Sequence, residues 1–119
     1  MDVVNLDKTN PFITLDGSQI RELLAARNSC ICNQSLAEAV IPVGKATQEH
    51  YHPVSEEIYY ILSGTGRMKL DGELRDVGPL DAVAIPPGLR HNITNTGTVP
   101  LVMLCCCAPG YSDADTILV

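Results

Sequence analysis

The three histidines of this chain fall in two short segments, Glu49-His50-Tyr51-His52-Pro53 and Leu89-Arg90-His91-Asn92. Side chains alternate between the two faces of an extended strand, so His50 and His52 project together. Glu57 follows the turn-like Pro53-Val54-Ser55 and can re-enter beside them. His91 comes 39 residues after His52, just past a tight Pro86-Pro87-Gly88 turn. Three imidazoles and a carboxylate converging inside a small barrel would bind a first-row divalent ion. Such donors suit iron, manganese, nickel, copper and zinc alike, and sequence does not choose among them. A His-x-His pair alone is commoner as unrelated surface or core histidines. The elements that carry it must therefore decide.

Those elements have to come from 119 residues, enough for one domain and one real core. Hydrophobic residues make up 45% of the chain and charged ones 18%, the balance of a globular protein. The formal charge is −6 and no Lys/Arg run occurs, which argues against nucleic acid and anionic membrane as partners. The first residues show no basic or apolar signal region, and the longest apolar run, Leu101 to Ala108, falls far short of a membrane span. Five cysteines are too few, and odd in number, for a disulfide scaffold. A cytoplasmic protein with reduced thiols is the expected setting.

One short helix is expected near the front, with Ser18 as N-cap and Ile20, Leu23 and Leu24 at helical spacing. After Cys30 short apolar runs alternate with Gly, Pro, Asn and Asp. The runs are Ser35–Ile41, Thr47–His52, Glu57–Leu62, Arg67–Leu70, Ala82–Ile85, His91–Thr94 and Leu101–Cys107. This rhythm of short strands and turn residues predicts an all-β sandwich or barrel. Asp71-Gly72 is the sharpest hairpin signal, since both residues tolerate positive φ. Ile58, Tyr60 and Leu62 alternate with Tyr59 and Ile61, so both faces of that strand are apolar and its outer face needs a cover. The N-terminal segment or a second copy would serve; a homodimer is the expectation.

The glycines and prolines around the histidines carry more. Gly44, His50-x-His52, Glu57 and Gly64, then Pro86-x-Gly88, His91 and Asn95, stand at the spacings of the two signature motifs of the cupins. The chain thus resembles a single-domain cupin, a double-stranded β-helix jelly roll, over roughly 36–108, with an N-terminal extension at 1–35 and a tail at 109–119. One departure is Leu80-Asp81, where the second motif normally opens with glycine before the aspartate. The resemblance implies His50, His52, Glu57 and His91 as metal ligands. Four protein ligands on an octahedral ion leave two positions open, a catalytic rather than a structural arrangement.

Strand parity nominates further lining residues. Tyr59 shares the face of Glu57, and Gln48 that of His50 and His52; Glu38 on its own strand is a weaker candidate. Arg90 has the opposite parity to His91 and should point outward. Within Cys105-Cys106-Cys107 the middle residue faces away from its neighbours, so the three cannot clamp one ion. The run reads as core packing, with Met103 and Cys105 or Cys107 able to line an apolar pocket. Cys30-x-Cys32 has the wrong spacing for a redox pair.

The expected function is a metal-dependent enzyme acting on a small chelating substrate. Oxygen-dependent oxidation comes first, with isomerisation or decarboxylation next. Glu57, moving a proton as resembling dioxygenases suggest, and Tyr59 are the candidate catalytic residues. The rival reading is a non-catalytic sugar-binding or sensor module, since small cupins also resemble those.

Overall fold

A computed structural model describes residues 1–119. The strands in chain order are β1 (Phe12–Ile13), β2 (Gln19–Leu24), β3 (Ser35–Ile41), β4 (His50–Tyr51), β5 (Glu56–Ser63), β6 (Gly66–Leu70), β7 (Glu73–Val77), β8 (Ala82–Ile85), β9 (His91–Asn95), β10 (Leu101–Ala108) and β11 (Ile117–Leu118). Two single turns of 3-10 helix, Leu6–Lys8 and Asp113–Asp115, complete the regular structure. A six-stranded sheet runs β1-β2-β3-β10-β5-β8 and a five-stranded sheet runs β11-β4-β9-β6-β7. Every pairing is antiparallel. The architecture is all-β, as the turn rhythm predicts, with the two-sheet jelly roll that the family resemblance implies. No helix is long and apolar enough to cross a membrane.

The helix expected after Ser18 does not form. Gln19–Leu24 is instead the strand β2, paired with β3 from Gln19↔Val40 to Leu24↔Leu36. Ser18 is not a cap: Asp16 caps the turn, its Oδ1 accepting from the Ser18 amide and hydroxyl at 2.9 and 2.6 Å. Gly17, at φ +89°, lets the chain reverse from β1 into β2. A ladder against β3 outweighs a weak helical stripe, because Ile20 and Glu22 also alternate correctly for a strand facing the interior.

Alternation then sorts β3, β5 and β10 into an inner and an outer face. Ala39, Ile41, Tyr59, Ile61, Leu101 and Met103 meet Met68, Val77, Ile85 and Ile93 of the other strands in one core. Two turn glycines show their necessity. A Cβ on Gly64 would lie 2.6 Å from the Pro100 carbonyl oxygen, so only glycine admits that approach. Asp71 and Gly72, at φ 48° and 85°, turn β6 into β7 as the hairpin signal requires. Leu80 is the exception, holding φ 73° with a branched side chain where the motif normally has glycine.

Candidate metal centre

His50 lies on β4, Glu57 on β5 and His91 on β9, with His52 just beyond β4. Register brings His50 directly opposite His91. The Gly88 amide donates to the His52 carbonyl at 2.8 Å, tying the second turn to the first segment. One donor atom from each of the four residues lies within 4.8 Å of all the others, and all four residues are buried. The His52 and His91 Nε2 atoms stand 3.4 and 3.5 Å from Glu57 Oε1.

The opposite ring nitrogens explain the orientation. Nδ1 of His50 faces the Gln48 carbonyl at 2.8 Å, that of His52 the Asp115 carbonyl at 3.0 Å, and that of His91 the Leu89 carbonyl at 2.9 Å. A carbonyl only accepts, so each Nδ1 donates and each neutral ring turns an Nε2 lone pair inward. His52 Nε2, His91 Nε2 and Glu57 Oε1 are buried without a hydrogen-bond partner. Buried polar atoms are nearly always paired, so three orphans facing one point need a common partner. A divalent ion fits them: the acceptors converge, one is anionic, and each imidazole has its far nitrogen held as metal-ligating histidines usually do.

Electrostatics follow from burial and these contacts. Burial pushes His50 below the ordinary histidine value, favouring the neutral ligand form. Burial acts likewise on His52, but the Glu57 carboxylate outweighs it and the net direction is upward. Burial alone would raise Glu57; the His52 and His91 rings beside it, with the Cys107 thiol, override burial and bring the carboxyl down to about 2. Cys107 Sγ donates to Glu57 Oε2 at 3.1 Å, leaving Oε1 turned toward the histidines. Burial and the nearby Glu57 charge push that thiol up, so it stays protonated and able to donate.

A cavity of about 50 Å³ adjoins His50, His52 and Glu57. Tyr59, Met103, Cys105 and Cys107 line it, as do Thr14, Asp16 and Ser18 of the β1–β2 turn. Tyr59 is 3% exposed, and burial raises its hydroxyl well above the ordinary value. Gln48 does not line the cavity. Its side chain is exposed, because the extended strand begins only at His50 and parity cannot be counted back through the preceding loop. It serves through its backbone, accepting from His50 and donating to the Asp16 carbonyl at 2.8 Å. Glu38 is buried on the opposite face from Ala37 and Ala39, which line the cavity. Arg90 is exposed. All five cysteines are free; Cys105 and Cys107 face the cavity, while Cys106 reaches Gln34 outside it at 3.9 Å.

Asp16, Asp115 and the Cys107–Glu57 contact were invisible to spacing. Asp115 holds His52 from 63 residues away, through a backbone oxygen that any residue type offers. Asp16 reads locally as an ordinary Asp-Gly turn, and only the β1–β2 hairpin carries it to the cavity.

Residues 37–107 match the family model described as a cupin domain. An uncharacterized protein of Methanocaldococcus jannaschii, MJ1618, is 54% identical over 110 residues, covering 92% of this chain and 88% of that protein. Among solved structures, a predicted oxalate decarboxylase of Thermotoga maritima superposes with a TM-score of 0.78 at 24% identity, covering 99% of this chain and 100% of that one. The Streptomyces nucleoside dehydratase Pac13 does so with a TM-score of 0.79 at 20% identity, covering 100% and 91%.

Proposed function

The chain belongs to the cupin domain family, and on that premise we propose that it is a metal-dependent enzyme acting on a small chelating substrate. The observation that carries this reading is the set of orphaned buried acceptors, His52 Nε2, His91 Nε2 and Glu57 Oε1, converging beside a cavity. His50, His52, Glu57 and His91 would hold the ion. A bound ion would supply Lewis acidity and, if it is redox-active, electron transfer to oxygen. The backbone carbonyls of Gln48, Asp115 and Leu89 keep the rings aimed, and Cys107 keeps Glu57 turned inward. Tyr59 offers its hydroxyl to a substrate, while Ala39, Met103 and Cys105 exclude water. Oxygen-dependent oxidation is the reaction we favour, with isomerisation and decarboxylation as rivals; Glu57 is the group able to move a proton there. A cytoplasmic setting and a homodimer built on the outer face of the six-stranded sheet complete the proposal.

Metal analysis of protein purified without tag or chelator tests it, followed by oxygen-uptake assays with chelating substrates. Near-stoichiometric iron, manganese, nickel or copper, and turnover lost on chelation and regained on reloading, is the expected result. Zinc alone would redirect the assays to isomerisation and decarboxylation. Metal without turnover of any probe would favour a binding module, and no uptake of any divalent ion would overturn the reading.

A further inference from the structure

The cavity wall narrows the class of substrate the site can take. Asp16 sits in the turn between β1 and β2 with its two carboxylate oxygens in different situations. Oδ1 accepts from the Thr14 hydroxyl at 2.7 Å, the Ser18 amide at 2.9 Å and the Ser18 hydroxyl at 2.6 Å. Oδ2 faces the candidate centre, 3.8 Å from His50 Nε2. The turn itself is tied to the segment leading into His50, because the Gln48 amide donates to the Asp16 carbonyl at 2.8 Å. The carboxylate is therefore fixed through one oxygen and presents the other to whatever enters.

The neighbouring groups make this oxygen decisive. The charged residues lining the cavity are Asp16, Glu22 and Glu57, with no lysine or arginine among them. Glu22 is neutralised by an ion pair with Arg27. A divalent ion would then be balanced by Glu57 and Asp16 together, leaving a site without net charge. The Thr14 and Ser18 hydroxyl hydrogens are spent on Asp16 Oδ1, so that end of the cavity offers an acceptor and no free hydroxyl donor. An anion would add net negative charge to that balanced site and lie directly against the Asp16 carboxylate, whereas a hydroxyl would donate to it in a charge-assisted hydrogen bond.

We propose that the cavity takes a small neutral compound bearing adjacent hydroxyl groups, such as an enediol or a catechol, in preference to a carboxylate or phosphate, and that Asp16 sets this preference. The proposal rests on the metal-centre reading: one hydroxyl would face the ion while its neighbour donates to Asp16 Oδ2. The ligand's carbon skeleton would lie against Ile20, Ala37, Ala39 and Met103. Asp16 is here a specificity residue, recognising ligand directly.

The test uses zinc-loaded protein titrated calorimetrically with catechol and with salicylate, which replaces one hydroxyl of the same ring by a carboxylate. Zinc occupancy is read in the same samples. After correction for each probe's affinity for free zinc, catechol should bind the unmodified protein about tenfold more tightly, the worth of one hydrogen bond to a charged group. Asp16→Asn keeps an oxygen for Thr14 and Ser18 and removes the charge, so it should shift the ratio about tenfold toward salicylate. Glu56→Gln, a charge loss on the outside of the same sheet, should leave the ratio unchanged. Salicylate preferred by the unmodified protein, or a ratio unmoved by Asp16→Asn in protein that folds, would overturn the proposal alone. Failure to take up zinc or any other divalent ion would overturn the metal reading and this proposal with it.

Discussion

The two faces of β5 carry the same kinds of residue to opposite ends. Glu57, Tyr59 and Ile61 point inward and are 6%, 3% and 0% exposed, whereas Ile58, Tyr60 and Leu62 point outward and are 50%, 36% and 42% exposed. The adjacent β10 repeats the division: Met103, Cys105 and Cys107 line the cavity, and Cys106 lies on the far side. Neither face follows the polar-out pattern of a solvated sheet. The inner face reserves its polar atoms for one point, and the outer face presents an apolar surface to be covered. A one-residue shift in register would exchange the two, so neighbouring substitutions should have unlike effects.

The largest contrast is expected between Glu57 and Glu56. Glu57→Ala removes the anionic donor and should weaken divalent-metal affinity by more than about 100-fold, beyond the usual loss from removing only a supporting contact. Glu56→Ala should leave affinity unchanged. Competition against a chromogenic chelator measures both, and equal affinities would break the ligand assignment of Glu57.

Next come the cysteines. Cys107→Ala removes the donor to Glu57 Oε2 and should cost about tenfold in metal affinity, with a changed visible spectrum of the cobalt-substituted protein. Cys106→Ser should change stability by about 1 kcal/mol or less and leave metal content and spectrum alone. A loss of metal from Cys106→Ser would mean that the outer face communicates with the centre in a way the hydrogen bonds do not show.

The outer face is tested by charge. Ile58→Glu places a carboxylate in the middle of the apolar surface of Ile58, Tyr60 and Leu62, where a second copy would have to desolvate it. Light scattering should find a dimer in the unmodified protein and a monomer in the variant, with metal content retained. A monomeric unmodified protein at the same concentration would refute the pairing.

Much of this division was legible in the sequence because alternation and turn chemistry are local. Six of the seven runs read as strands fall within about a residue of β3, β5, β6, β8, β9 and β10. Thr47–His52 shrinks to His50–Tyr51 because the preceding residues follow an irregular path, which also carries Gln48 away from the cavity. The helix misreading at Ile20, Leu23 and Leu24 arose because six residues can satisfy two periods at once; the β3 edge decided between them. At the candidate centre, the motif spacing named the four converging residues. Their supports, the Asp115 carbonyl, the Cys107 thiol and the Asp16 carboxylate, come from distant segments and depend on register and turn geometry that no short pattern encodes.

The smallest effect expected concerns a turn on neither face. Leu80 stands at φ 73°, where a side chain costs about 1–2 kcal/mol, and it is 74% exposed, so little burial offsets that cost. The turn persists because its backbone is held: the Leu80 amide donates to the Ile61 carbonyl at 2.8 Å, and Asp81 Oδ2 accepts from the Gly78 amide at 2.8 Å. Glycine would remove the left-handed strain while adding about 0.5–1 kcal/mol of unfolded-state entropy. Leu80→Gly should therefore raise stability by roughly 0.5–1 kcal/mol in urea unfolding, at unchanged metal affinity. A clear destabilisation instead would mean that the exposed leucine makes a contact in the assembled protein, which would extend the covered outer surface to this turn.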